Sequence, residues 1–132
     1  MFDSAQIESD WSGVPYVADS RDRRVGLDCA TLVYGIYDQA GHAIPGHISR
    51  RGEHGDRWME GCLRVIRNCF SVVRDQRRTG DLLLMRIADR LHVGVVLEGD
   101  RVIHALPRKG TIVDPIVRWT ANVIKVVRLK GL

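Results

Sequence analysis

Apolar side chains recur at helical spacing through Cys29, Leu32, Val33, Ile36, Tyr37 and Ala40, which places them on one face of a helix. Asp28 stands where an N-cap belongs, and Gly41 stands where a helix ending near Ala40 takes its left-handed cap. From Gly41 to Gly55 the chain is rich in Gly, His, Arg and Pro and shows no period, so a long loop is expected. A second helix is predicted around Trp58 to Asn68, with Trp58, Cys62, Val65, Ile66 and Cys69 on one side. After Phe70 come short β-rich runs: FSVV, DLLLM, HVGVVL, RVIHA, TIVDPIV and NVIKVVRL. They are separated by the turn-forming stretches RRTGD, EGD and PRKG. Helices first and strands later predict an α+β domain, an antiparallel sheet packed on the early helices.

Composition narrows this picture. With 132 residues, 45% apolar and 27% charged, the chain is expected to fold as one domain spanning residues 1–132. No run approaches the roughly 20 apolar residues of a membrane span, and Met1 to Asp10 lacks the pattern of a signal peptide. The expectation is a protein made in the cytoplasm with no membrane partner. Cys29, Cys62 and Cys69 give an odd count without a dense framework, so reduced thiols are expected. The net charge is +4, carried almost entirely by arginine, since Lys109, Lys125 and Lys130 are the only lysines. Such a surface favours an acidic polymer by long-range attraction. The chain has no basic helix and no aromatic-basic motif, which argues against nucleic acid as that partner.

Cys29 has two readings at this point. It is either a small buried residue that begins a helix, or a nucleophile whose thiol ionises more readily at the helix's positive end. A thiolate nucleophile needs a base, and that base needs an orienting partner. RLHVGVVLEGDRVIHALP supplies two histidines in adjacent strands. If the turn is Glu98, Gly99 and Asp100, Leu97 pairs with Arg101 and His104 falls opposite Gly94. His92 and His104 are then diagonal neighbours on one face, about 7 to 8 Å apart at Cα. A two-residue turn would send His104 to the other face, so the proposal depends on an odd loop, for which Gly99 is a suitable left-handed residue. Gly94 leaves room for a substrate or for His104 itself. His42, His47 and His54 have no accompanying carboxylate or cysteine pattern, and no metal or other cofactor is expected. Cys62 and Cys69 read as core, and Trp58 and Trp119 as core or partly buried anchors.

GLDCATLV, GDLLLM and HVGVVLEGDRVIHA together resemble the three signature blocks of the NlpC/P60 cysteine peptidases, in order and with compact spacing. Gly13 to Tyr16 extends the likeness to that family's G-x-P-Y element. The resemblance implies a papain-like α+β fold in which Cys29 attacks an amide carbonyl, His92 acts as base and His104 orients it. It further implies that Tyr16 helps hold the oxyanion and that Asp28 binds a free amine of the substrate. The competing reading of Asp28 is a helix cap whose carboxylate is already occupied by backbone donors. Two departures stand out. Ala30 and Thr31 replace the family's usual Ser-Gly or x-Gly after the cysteine, and Val17, Ala18 and Asp19 replace its Trp-Gly-Gly.

The expected function is therefore hydrolysis of peptidoglycan stem peptides through an acyl-enzyme, at the D-γ-glutamyl bond to a diamino acid. Without a visible leader, lipid-attachment cysteine or wall-binding repeat, a delivered enzyme is expected to act at the cell wall. A phage tail component is the favoured setting. The alternatives are an injected amidase toxin with secretion-system partners and a tail-assembly protein that leaves the thiol unused.

Overall fold

The structure is a computed structural model that describes residues 1–44 and 56–132. The early region contributes α1 (Ser4–Trp11) and α2 (Cys29–Gln39), followed by α3 (Asp56–Cys69). Six strands follow: β1 (Phe70–Val72), β2 (Leu82–Ile87), β3 (Arg90–Leu97), β4 (Arg101–Leu106), β5 (Gly110–Pro115) and β6 (Val123–Leu129). They form one antiparallel sheet in the order β1-β6-β2-β3-β4-β5, and a 3₁₀ segment, Ile116–Asn122, connects its last two strands. The predicted α+β architecture holds, with α1 added to it.

Alternation along the strands builds two apolar layers. Leu82, Leu84, Val93, Val95, Leu97, Ile103 and Ala105 form the main core with α2. Leu83, Met85, Val96, Val102 and Ile116 make a smaller core on the opposite face, with Trp119, Val123 and Val126 packed against it. α3 buries Cys62 and Ile66 and half-buries Val65 and Cys69, as its period requires. The three cysteines carry no disulfide. His47, His54 and the predicted role of Trp58 lie outside the described residues.

Asp81 explains the aspartate of GDLLLM in structural terms. It is buried before β2, accepts both Nε and Nη2 of Arg128 at 2.8 and 3.0 Å, and accepts the N–H of Arg78 at 2.8 Å. A bidentate pair of this kind, mostly shielded from water, ties β6 to the entry of β2. The exposed Arg24–Asp22 pair, by contrast, is of a class that contributes little.

Candidate active site

α2 starts where it does because Asp28 caps it. The backbone of Asp28 is extended, its Oδ1 accepts from the N–H groups of Ala30 and Thr31 at 3.0 and 2.9 Å, and Thr31 Oγ1 accepts from the Asp28 N–H at 2.9 Å. This reciprocal capping box makes Cys29 the first helical residue, at the positive end of the helix dipole. Thr31, one of the two departures from the family pattern, thus supplies half of the cap. Asp28 Oδ2 accepts a further bond, 2.7 Å from the N–H of Asp19. Asp28 is 1% exposed, and its carboxylate is engaged by backbone donors as the cap reading expects. At the other end of α2, Gly41 is left-handed at φ 81°, also as expected.

Residues 13–17 form a strap between the two parts of the site. Tyr16 bridges in parallel to Leu27, Leu27 donates to the Pro15 carbonyl at 2.9 Å, and Val17 donates to the Leu27 carbonyl at 3.1 Å. The same segment docks on β5, where Gly13 donates to Thr111 and Thr111 donates to Val14, each at 2.8 Å. Gly110 permits this approach: a Cβ there would stand 2.8 Å from the Val14 carbonyl oxygen. Tyr16, half-buried, is therefore held beside Leu27, the residue that precedes the cap Asp28, and Trp11 packs at the α1–α2 contact with its Nε1 donating to Gln39 Oε1 at 2.9 Å.

The β3–β4 hairpin adopts the three-residue register. Leu97 pairs with Arg101, Val96 with Val102 and Val95 with Ile103, with Gly99 and Asp100 both at positive φ in the turn. His92 and His104 consequently share a face, with His92 Nε2 and His104 Nδ1 2.8 Å apart and ring centroids at 5.1 Å. The space over Gly94 is taken by β4 itself, by Val102 and the Cβ of His104. Cys29, at the helix start, lines a small apolar cavity of about 40 Å³ that Leu91 and Val93, the two residues that bracket His92, also line. Tyr34 also lines that cavity. Burial raises its hydroxyl to about 12, so it stays protonated.

Sequence reasoning missed the next member of the chain. His104 Nε2 is 2.9 Å from Asp114 Oδ2, which also accepts from Trp119 Nε1 at 3.0 Å, while Asp114 Oδ1 accepts from Arg118 Nη1 at 2.6 Å. Trp119 meets the His104 ring edge-on at 5.1 Å, so this residue is more than an anchor. The signal was present in TIVDPIV. His104 pairs with Ile112 across β4 and β5, and Asp114, two residues on, shares that face. A carboxylate among apolar strand residues calls for a partner.

Burial pushes His104 below the ordinary imidazole value, with the nearby Lys109 acting the same way and Asp114 opposing both. Burial also pushes Asp114 upward, but bonds from His104 and Trp119 and the charge of Arg118 outweigh it, leaving the carboxyl below the usual range. His104 is thus neutral and Asp114 ionised near neutral pH. A pH dependence of stability follows. Below about 6.5 the unfolded chain protonates this imidazole while the folded chain does not, so stability falls as pH drops from about 6.5 toward the lowered folded value. The slope from His104 is at most about 1.4 kcal/mol per pH unit. Urea midpoints measured from pH 7 to 5 should fall less steeply in His104→Gln than in wild type; equal slopes would refute the buried neutral imidazole.

Among the described residues no group of His, Cys, Asp and Glu has the makings of a metal site. The arrangement combines a thiol at a helix N-terminus with a paired imidazole system backed by a carboxylate, which is the equipment of nucleophilic acyl transfer.

Comparison with known proteins reaches the same chemistry. The model of the NlpC/P60 family matches residues 13–128. The chain is 29% identical over 108 residues to the murein DD-endopeptidase MepS/murein LD-carboxypeptidase of Escherichia coli K12, covering 80% of this chain and 50% of that protein. It is 25% identical over 112 residues to a probable endopeptidase of Haemophilus influenzae, covering 82% and 60%. The chain thus spans about half the length of the curated relatives it matches. Among solved structures, the NlpC/p60 domain of the peptidoglycan hydrolase SagA superposes with a TM-score of 0.61 at 26% identity, covering 94% of this chain and 93% of that one. A Staphylococcus aureus NLP/P60 family protein superposes at 0.66 and 20% identity, covering 97% and 42%, a likeness of fold.

Proposed function

Because this chain belongs to the NlpC/P60 family of cysteine peptidases, we propose that it is a peptidoglycan endopeptidase in which Cys29 is the nucleophile, His92 the base and His104 the residue that orients it. The observation that carries this reading is the 2.8 Å contact between His92 and His104, produced by a hairpin register on which the whole site depends. In this reading residues 1–132 form one peptidase domain.

The thiol proton of Cys29 passes to His92, and the sulfur attacks the amide carbonyl carbon to form the C–S bond. As the tetrahedral intermediate collapses, the C–N bond breaks and His92 returns the proton to the leaving amine. Water, deprotonated by His92, then hydrolyses the thioester and frees the thiol. The N–H of Cys29 at the helix start and the hydroxyl of Tyr16 are the proposed oxyanion donors. Asp28 acts in this scheme through the cap, fixing the nucleophile; a substrate amine reaching it would have to compete with the backbone donors it already serves.

The proposed bond is that between D-γ-glutamate and a diamino acid, whereas the Escherichia coli relative is named as a DD-endopeptidase and LD-carboxypeptidase. Delivery on a phage tail or by a secretion system is proposed by analogy, and the comparisons lend it no support. Digestion of purified peptidoglycan with wild type and with Cys29→Ala, followed by mass analysis, tests both activity and bond. A fragment series present only with wild type is expected, and its masses identify the bond. Identical digests would overturn the enzymatic reading in favour of an assembly role.

A further inference from the structure

The imidazole pair does not end at His104. It continues through a buried carboxylate to a cation at the surface: His92, His104, Asp114, then Arg118, whose side chain is 63% exposed. Carboxylate oxygens of an ionised aspartate only accept, so the bond to His104 Nε2 requires the proton to sit on that nitrogen. His104 Nδ1 is then a lone pair, and the 2.8 Å contact requires His92 to donate from Nε2. His92 Nδ1 is left as the nitrogen that receives a proton.

We propose that Asp114 is a positioning residue that sets this proton order and, with Arg118, adjusts the basicity of His92 from two hydrogen bonds away. This rests on the reading of His92 as base. When His92 becomes an imidazolium, its Nε2–H is held by His104, and His104 is polarised by the Asp114 anion. Arg118 neutralises part of that anion. The two residues therefore pull in opposite directions, Asp114 stabilising the charged imidazole and Arg118 destabilising it. Trp119 secures the geometry, since its indole both donates to Asp114 Oδ2 and walls the His104 ring. Lys109, from the turn between β4 and β5, adds a second cation near His104. The elements that build the site also carry Cys29 and Asp28 at the start of α2 and Tyr16 on the strap, and across the sheet His92 pairs with the apolar Met85 of β2.

Two substitutions separate this role from simple support. Asp114→Asn removes the charge but can keep an oxygen toward His104 and Trp119; its NH2 then replaces the oxygen that accepted from Arg118, and that bond is lost at the exposed end of the chain of contacts. Arg118→Gln removes the opposing charge at an exposed position. Both are made in a Cys29→Ala background, and histidine ¹⁵N resonances are followed across pH by NMR. The expected result is Nε2–H on both rings in the parent. The His92 midpoint should fall by about half a unit to one unit in Asp114→Asn and rise by a smaller amount in Arg118→Gln. With Cys29 restored, the acid limb of kcat on peptidoglycan, where protonation removes the base, should move in the same two directions with KM unchanged. Shifts of the same sign in both variants, no shift in either, or a proton on His104 Nδ1 would overturn the proposal. Should Asp114→Asn fail to fold, the parent's tautomers and the Arg118→Gln shift decide it. The NMR measurements use no substrate, so a protein that shows them but leaves peptidoglycan intact would refute the proposed function and not this proton order.

Discussion

His92→Ala should lower turnover on peptidoglycan by about 10⁴-fold while leaving the melting temperature within a few degrees of wild type. The size of the loss follows from the two jobs the ring performs. It removes the thiol proton before attack and returns one to the leaving amine, and general acid–base groups of this kind are each worth about 10²- to 10⁴-fold. Loss of a member of a nucleophile–base pair removes most of what the pair does together. The small thermal effect follows from position, because His92 lies near the start of β3 opposite Met85, beside the main core and not within it. A second readout isolates the thiol. Iodoacetamide should label Cys29 faster than Cys62 and Cys69 in wild type, and that preference should disappear in His92→Ala. Equal, slow labelling of all three thiols in wild type would mean that Cys29 is an ordinary buried cysteine.

Gly94→Ala should damage fold and site together, because the added methyl has nowhere to go. Its Cβ would press into Val102 Cγ2, stand 3.0 Å from the Ile103 carbonyl oxygen and reach 3.2 Å from the Cβ of His104. Val102 is fully buried in the smaller core and the carbonyl belongs to the sheet, so β4 itself must shift. Overpacking of this sort costs about 1–3 kcal/mol, enough to lower Tm by roughly 5 to 10 °C. The displaced strand carries His104, and a misplacement near 1 Å at a catalytic group costs about 10²-fold in rate. The folded fraction of Gly94→Ala should therefore be slow as well as unstable. Unchanged turnover per folded molecule would show that the hairpin can yield without moving the imidazole.

These two substitutions also show how far the sequence could be read. The hairpin was legible because alternation forces a choice: with Glu98, Gly99 and Asp100 as the loop, His92 and His104 must share a face, and they do. The start of α2 was legible for a similar reason, since an aspartate before a periodic run is a cap unless something competes for it, and here its oxygens are taken by backbone donors. α1 was not recognised. Its inward positions are only Ser4, Ile7 and Trp11, too few in eight residues to set up a visible period, and it is held through burial against α2 and a cap by Asp3. Asp114 was less visible because finding it required the register of one more strand pair, β4 with β5: PRKG marked the turn between them, but the turn alone did not fix which residues pair across it. Trp119 was hidden by its connecting segment: a 3₁₀ turn folds back over the sheet, and the indole's two contacts depend on that path.

The division of the site between α2 and the β3–β5 strands also orders events in time. A ribosome delivers Cys29 early and the histidines, Asp114 and the sheet that aligns them much later. Until those strands pair, the proposed base and the groups that orient it are not assembled. In the proposed reading, hydrolytic capacity therefore arrives only with the closure of the sheet.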